Sequence, residues 1–118
     1  MPKVHFSYAD KQLNYSNKTA LKLFVETIFI KEKKPLSSIR YIFCSDEYLL
    51  DINRTALNHD YYTDIITFDL SEPNEPIESE VYISIDRVKD NAIQQQVSFQ
   101  DELCRVVFHG ALHLCGYK

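Results

Sequence analysis

The chain has 118 residues, 45% hydrophobic and 25% charged, a balance that suits one globular domain with its own core and excludes a disordered protein or two full domains. A net charge of −4 argues against a protein that coats nucleic acid, although a local basic face beside a cation can still take phosphate. No apolar run is long enough to cross a bilayer, and the start MPKVHFSYAD lacks a signal-peptide core. The three cysteines, Cys44, Cys104 and Cys115, have no framework spacing and suit reduced thiols, so a cytoplasmic protein with no membrane partner is expected.

In chain order, Lys3–Tyr8 alternates with Val4, Phe6 and Tyr8 on one side and predicts a short strand, followed by a polar turn. Asn17 is placed to cap a helix over Lys18–Lys31, with Leu21, Val25, Ile28 and Phe29 as its apolar stripe. The KEKK run ends that helix and reads as a solvated basic terminus, with phosphate contact as the competing role. Ser38–Cys44 predicts a second strand. Ser45 then caps a helix reaching Leu57, with Leu49, Ile52, Ala56 and Leu57 facing inward. After a turn at Asn58–Asp60, Thr63–Leu70 predicts a third strand, and the acidic, proline-bearing stretch Ser71–Glu80 predicts a loop. Val81–Ile85 predicts a fourth strand, which could pair with the third as a long-looped hairpin. Asp86 starts a helix through Val97, and Ser98 with Asp101 forms a capping box for a terminal helix. The order β-α-β-α-β-β-α-α implies an α+β (mixed α/β) fold with one small four-stranded sheet.

The terminal stretch DELCRVVFHGALHLCGYK carries the chemistry. His109 and His113 stand at i and i+4, about 5–6 Å apart at Cβ on a helix, so both imidazoles can reach one ion. Leu103, Val106, Val107, Ala111, Leu112 and Leu114 surround them, which places the pair in or beside an apolar core, where a shared cation would partner the ring nitrogens. Two ordinary hydrogen-bonded histidines are the competing reading. Gly110 occupies the position of the glutamate base in the HExxH peptidase helix, so that mechanism lacks its base. A mid-helix glycine costs about 1 kcal/mol relative to alanine, which implies a close backbone contact or substrate access there.

HGALHLCGY resembles the signature H-G-x-L-H-L-x-G-Y of the YbeY endoribonuclease family, the bacterial rRNA maturation factors. INRTALNHDYYTDIITFDL is similar to a second family segment, with Asn53, Asp60, Thr63, Asp64 and Phe68 in register, and SEVYISIDRVKDNA is a weaker third match. The resemblance implies a single YbeY-like domain over residues 1–118. It implies a metal-dependent, single-strand-specific endoribonuclease acting in 16S rRNA 3′-end maturation and ribosome quality control. Its partners would be single-stranded RNA and the small ribosomal subunit. Its cofactor would be one zinc ion on His109 and His113, with a third histidine at the position just past Lys118, so the sequence reads as C-terminally truncated. Lys118 replaces the acid before that ligand, Leu57 replaces an arginine, Ser79 and Glu80 replace a Gly-Asp pair, and Thr67 replaces a serine. Cys115 points about 200° around the helix from His113 and is expected in the core.

The mechanism these residues suggest is metal-assisted hydrolysis of a phosphodiester. Arg105, one turn before His109, would steady the anionic transition state unless it is spent on a salt bridge with Asp101 or Glu102; Arg54 is a weaker substitute. Asp64 or Glu80 would orient water or a ligand unless they are simply polar strand ends. Two other classes compete: a non-catalytic ribosome- or RNA-binding factor with a weak or structural metal, and a metal-dependent hydrolase of another substrate.

Overall fold

Backbone pairing and helix capping produce eight elements in the order that the sequence implies. The computed structural model describes residues 2–13, 15 and 17–117. The elements are β1 (Val4–Tyr8), α1 (Lys18–Lys31), β2 (Leu36–Cys44), α2 (Asp46–Leu57), β3 (Ile65–Asp69), β4 (Ile77–Ser84), α3 (Ile85–Gln95) and α4 (Phe99–Leu114). Part of the polar turn after β1 and Lys118 lie outside the described residues.

Three serines start helices by the same device. The Oγ atoms of Ser45, Ser84 and Ser98 accept the backbone N–H of Tyr48, Arg87 and Asp101, satisfying one otherwise unpaired donor at each helix start. Asn17 occupies the capping position of α1 but makes no side-chain cap hydrogen bond, against the sequence expectation. At the other ends, Asn58 and Gln96 close α2 and α3 in the left-handed conformation.

The sheet has the order β1-β2-β4-β3, with β1, β2 and β4 parallel and β3 antiparallel to β4. The α+β assignment and the β3–β4 hairpin therefore hold. The predicted loop over Ser71–Glu80 is too long, because β4 begins at Ile77. Its first turn of sequence is acidic, but Ile77 N–H donates to the Pro35 carbonyl and Leu70 N–H to that of Glu78, so ladder bonding outweighs composition.

Helices α1, α3 and α4 cover one face of the sheet. Leu21, Val25 and Phe29, Val88, and Leu103, Val106 and Val107 pack there against Ile39, Tyr41, Phe43, Val81 and Ile83. Each such buried side chain contributes roughly 1.5–3 kcal/mol of hydrophobic stabilisation before conformational entropy is counted. Helix α2 covers the other face alone, with Leu49 against Cys44 and Ile66. Its inward residues correct the expectation: Ala56 and Leu57 are exposed, whereas Leu50 and Asn53 are buried. Among the described residues no helix is long and apolar enough to cross a membrane.

Candidate functional site

Helix α4 lies over β3, and one glycine sets how closely. Gly110 is buried on the side of α4 that meets the strand, and a Cβ placed there would stand 2.6 Å from Ile65 Cδ1. The helix therefore approaches the strand more closely than any side chain at position 110 would allow without movement. Of the two roles left open for this glycine, close contact is the one the packing displays.

Beside that contact a cavity of about 180 Å³ is lined by Ile65 and Thr67 of β3 and by His109, Gly110 and His113 of α4. A second hollow of about 230 Å³ on the outer side is lined by His109, Leu112, His113 and Tyr117. Both histidines are exposed, so of the two expected placements, in or beside the apolar core, the pair takes the second. The apolar residues interleaved with them turn the other way: Val106, Val107 and Ala111 are buried beneath. Among the described residues neither imidazole has a hydrogen-bond partner in the protein, so both nitrogen sets are open to a ligand. Two exposed imidazoles one turn apart on a shared cavity are a donor set suited to a borderline divalent cation such as zinc. Among the described residues no group of three His, Cys, Asp or Glu side chains closes around them. Cys115 is buried, as its angle on the helix implies.

One turn before His109, Arg105 is held in place. Its Nε and Nη2 donate to the two carboxylate oxygens of Glu102 at 2.9 and 2.5 Å, and Nη2 lies 3.9 Å from Asp64 Oδ2. Glu102 is 1% exposed, an unusual place for a carboxylate, and the hydrogen bonds from Arg105 hold its pKa below the ordinary range despite burial. The guanidinium is correspondingly raised, first by the same pair and to a smaller extent by Asp64. Arg105 thus joins Asp64 to α4 while remaining half exposed.

Glu80 does not join this group. It lines a separate cavity of about 350 Å³ with Ile52, Ala56, Phe68 and Tyr82, on the α2 side of the sheet. Pairing explains this: Glu80 is the register partner of Phe68, whereas Thr67, which does face α4, pairs with Val81. Arg54 is likewise elsewhere, bound to Asp60 at 2.6 Å. Sequence reasoning missed Ile65 and Thr67 as cavity walls. The alternation of TDIITFDL could have grouped them, since residues two apart in a strand share a face.

Asn53, in register with the second family segment, has a structural task here. Its Nδ2 donates to the Tyr61 carbonyl at 2.8 Å, and its own carbonyl accepts from His59 N–H, so it fastens the loop that delivers Asp64 to the site. At the far end of that loop the Asp64 carbonyl accepts from Ser84 N–H.

The cramped glycine makes a specific prediction. Gly110→Ala gains about 1 kcal/mol of helix propensity and loses a similar amount by displacing Ile65 Cδ1, so thermal stability should change little. The displaced methyl has the cavity to move into, and a shift of a few tenths of an ångström there should slow any reaction at the site about 10-fold. Adding Ile65→Val removes the offending carbon and should restore the rate; a double variant as slow as the single one would contradict this account.

The sequence and the fold are similar to those of known proteins. Residues 4–118 match the model of the family described as Endoribonuclease YbeY. A Cytophaga hutchinsonii protein named Endoribonuclease YbeY is 52% identical over 115 residues, covering 98% of this chain and 80% of its own length. A Flavobacterium johnsoniae protein of the same name is 44% identical over 115 residues, covering 98% and 81%. The solution structure of TM1509 from Thermotoga maritima is similar with a TM-score of 0.66 and 29% identity, over 96% of this chain and 73% of that one.

Proposed function

Because the chain belongs to the Endoribonuclease YbeY family, we propose that it hydrolyses phosphodiester bonds of single-stranded RNA at the α4–β3 cavity, using a divalent cation held by His109 and His113. The observation that carries this reading is the exposed, unpartnered imidazole pair beside the Gly110 contact, within a sequence continuous with the family signature. Within it, the substrate is the 3′ region of 16S rRNA and the setting is maturation and quality control of the small ribosomal subunit, as the family resemblance implies.

When bound, such a cation supplies Lewis acidity toward a phosphoryl oxygen and lowers the pKa of water toward neutrality. The chain's own residues do the remaining work. His109 and His113 present their ring nitrogens from one helix, so their spacing is preset. Arg105 spends two of its five N–H donors on Glu102, which leaves three to meet an anionic phosphate. Its planar fork is already oriented, so little side-chain freedom is lost when the phosphate arrives. The Asp64 carboxylate, 3.9 Å from that guanidinium, would orient a water. Thr67 contributes a side chain with a hydroxyl to the cavity wall. Glu80 has no part in this proposal, since it lies on the opposite face of the sheet.

The test is cleavage of a labelled unstructured RNA and of its duplex, with and without EDTA, and of casein. Cleavage of the single strand alone, abolished by EDTA and restored by zinc, is the expected result. Binding of RNA without cleavage would replace this reading by that of a non-catalytic RNA-binding factor; casein hydrolysis without RNA cleavage would point to another substrate. Two imidazoles alone hold zinc weakly, so an ion held only by His109 and His113 is expected to be lost on dialysis. Zinc retained at one equivalent by metal analysis would show that a further donor closes the site.

A further inference from the structure

Charge is segregated along this chain and in its fold. Eight of the thirteen Lys and Arg residues but only three of the seventeen Asp and Glu residues fall within residues 1–40, a net of +5 that leaves −9 for the remainder. Pairing sharpens the contrast. Arg54, Arg87 and Arg105 are each matched to carboxylates, and Lys11 is matched to Asp86. Among the described residues, Lys3, Lys18, Lys22, Lys33 and Lys34 have no carboxylate within salt-bridge distance, so the uncompensated positive charge collects beside the edge strand β1.

These lysines form a track. Lys18 Nζ stands 5.0 Å from the Tyr8 ring centroid and Lys22 Nζ 5.0 Å from that of Phe6, so two ammonium groups one helical turn apart are held over β1 by cation–π contact. Beyond them, Lys3, Lys33 and Lys34 rim a cavity of about 250 Å³ with Phe29, Leu36 and a single acid, Glu26. The track follows α1 for about 20 Å, the length of a 14-residue helix. On the opposite flank of the same helix, roughly 160° around from Lys22, Phe24 stacks on Phe108, the neighbour of His109.

We propose that this lysine track along α1 and the β1 edge binds the phosphate backbone of single-stranded RNA at a distance from the cleaved bond. The proposal rests on the RNA reading above. It concerns affinity rather than chemistry, because none of these lysines lines the α4–β3 cavity, and Lys18 and Lys22 stand over β1, on the flank of α1 turned away from Phe108. An extended row of unpaired ammonium groups, two of them held over aromatic rings, matches a polyphosphate chain better than a compact anion. The competing role for lysines beside an edge strand is to block strand-to-strand association between copies.

The experiment measures RNA binding by fluorescence anisotropy over a range of salt concentrations, with a long unstructured oligoribonucleotide and with a very short one. The full chain is compared with Lys18→Gln/Lys22→Gln, Lys33→Gln/Lys34→Gln and Lys18→Arg/Lys22→Arg. Each phosphate contact on a single strand contributes about 0.7 to the slope of log K against log salt, so each glutamine pair should make the slope shallower by roughly 1.4. The arginine pair should keep the slope. Cleavage of the short oligonucleotide should be the same in all variants, while KM for the long one rises in the glutamine variants. A salt slope unchanged by both glutamine pairs overturns the proposal, and concentration-dependent association of those variants would then reassign the lysines to guarding β1. Salt-dependent binding lost in the glutamine variants of a chain that never cleaves RNA would uphold the track and overturn the nuclease reading. Cleavage with lysine-independent binding would do the reverse.

Discussion

Replacing His113 or His109 by alanine is expected to lower RNA cleavage by on the order of 10³-fold while leaving the stability of the fold within about 0.5 kcal/mol. The two halves of this expectation have separate causes. Both side chains are exposed and lack protein hydrogen-bond partners among the described residues, so their removal opens no cavity and orphans no buried group. Alanine also favours the helix more than histidine does. The loss in rate follows from removing one of two converging nitrogen donors, which would forfeit several kcal/mol of charge stabilisation in the transition state. Circular dichroism melts and single-turnover cleavage of a labelled RNA check both halves. A variant that melts with the parent and cuts as fast would remove the imidazole pair from the mechanism. One that unfolds would mean that the histidines are structural after all.

Arg105→Ala should have two effects that can be separated. It strips the nearly inaccessible carboxylate of Glu102 of both its charge-assisted hydrogen bonds, which is expected to cost about 2 kcal/mol, moderated by the partial exposure of the arginine. For a domain of this size that lowers Tm by roughly 8 °C. Adding Glu102→Gln removes the uncompensated charge and should recover much of the stability. It should not recover cleavage, because the guanidinium proposed to meet the phosphate is still missing. Recovery of both would make Arg105 a fastening for Glu102 and nothing more.

The same pair sets a pH dependence. Arg105 holds the Glu102 carboxyl below the ordinary carboxylate range, so the folded state binds its proton less readily than the unfolded chain, whose glutamate pKa is about 4.3. Its contribution to stability is therefore fully present above that value and is lost as pH falls through the lower folded one. In the Arg105→Ala variant this part of the acid dependence should vanish, which denaturant melts between pH 3 and about pH 6 would reveal.

Much of this molecule was legible one residue after another. The stripe of Leu21, Val25, Ile28 and Phe29 defined α1 to the residue, because period and burial coincide there. Serine before an acidic first turn marked the starts of α2 and α4. β4 was read too short because its first residues are acidic, and strand pairing rather than composition decided them. In α2 the reading chose Ala56 and Leu57 for the interior on apolarity. The folded chain instead buries Asn53, whose amide has a backbone carbonyl to satisfy.

By itself, the sequence determined the order of the elements, the family, the imidazole pair and the glycine between them, all of which depend on neighbours along one helix or on continuous motifs. Which carboxylate meets that pair's helix was decided only by the tertiary structure. Alternation says which residues of a strand share a face but not which face a distant helix will cover. The β3–β4 register puts Glu80 with Phe68 on the α2 side, while Asp64, standing just ahead of β3, escapes the alternation and reaches Arg105. The exposure of His109 and His113 is likewise a tertiary outcome, because α4 turns its Val106, Val107 and Ala111 side onto the sheet and leaves both imidazoles at the mouth of the cavity.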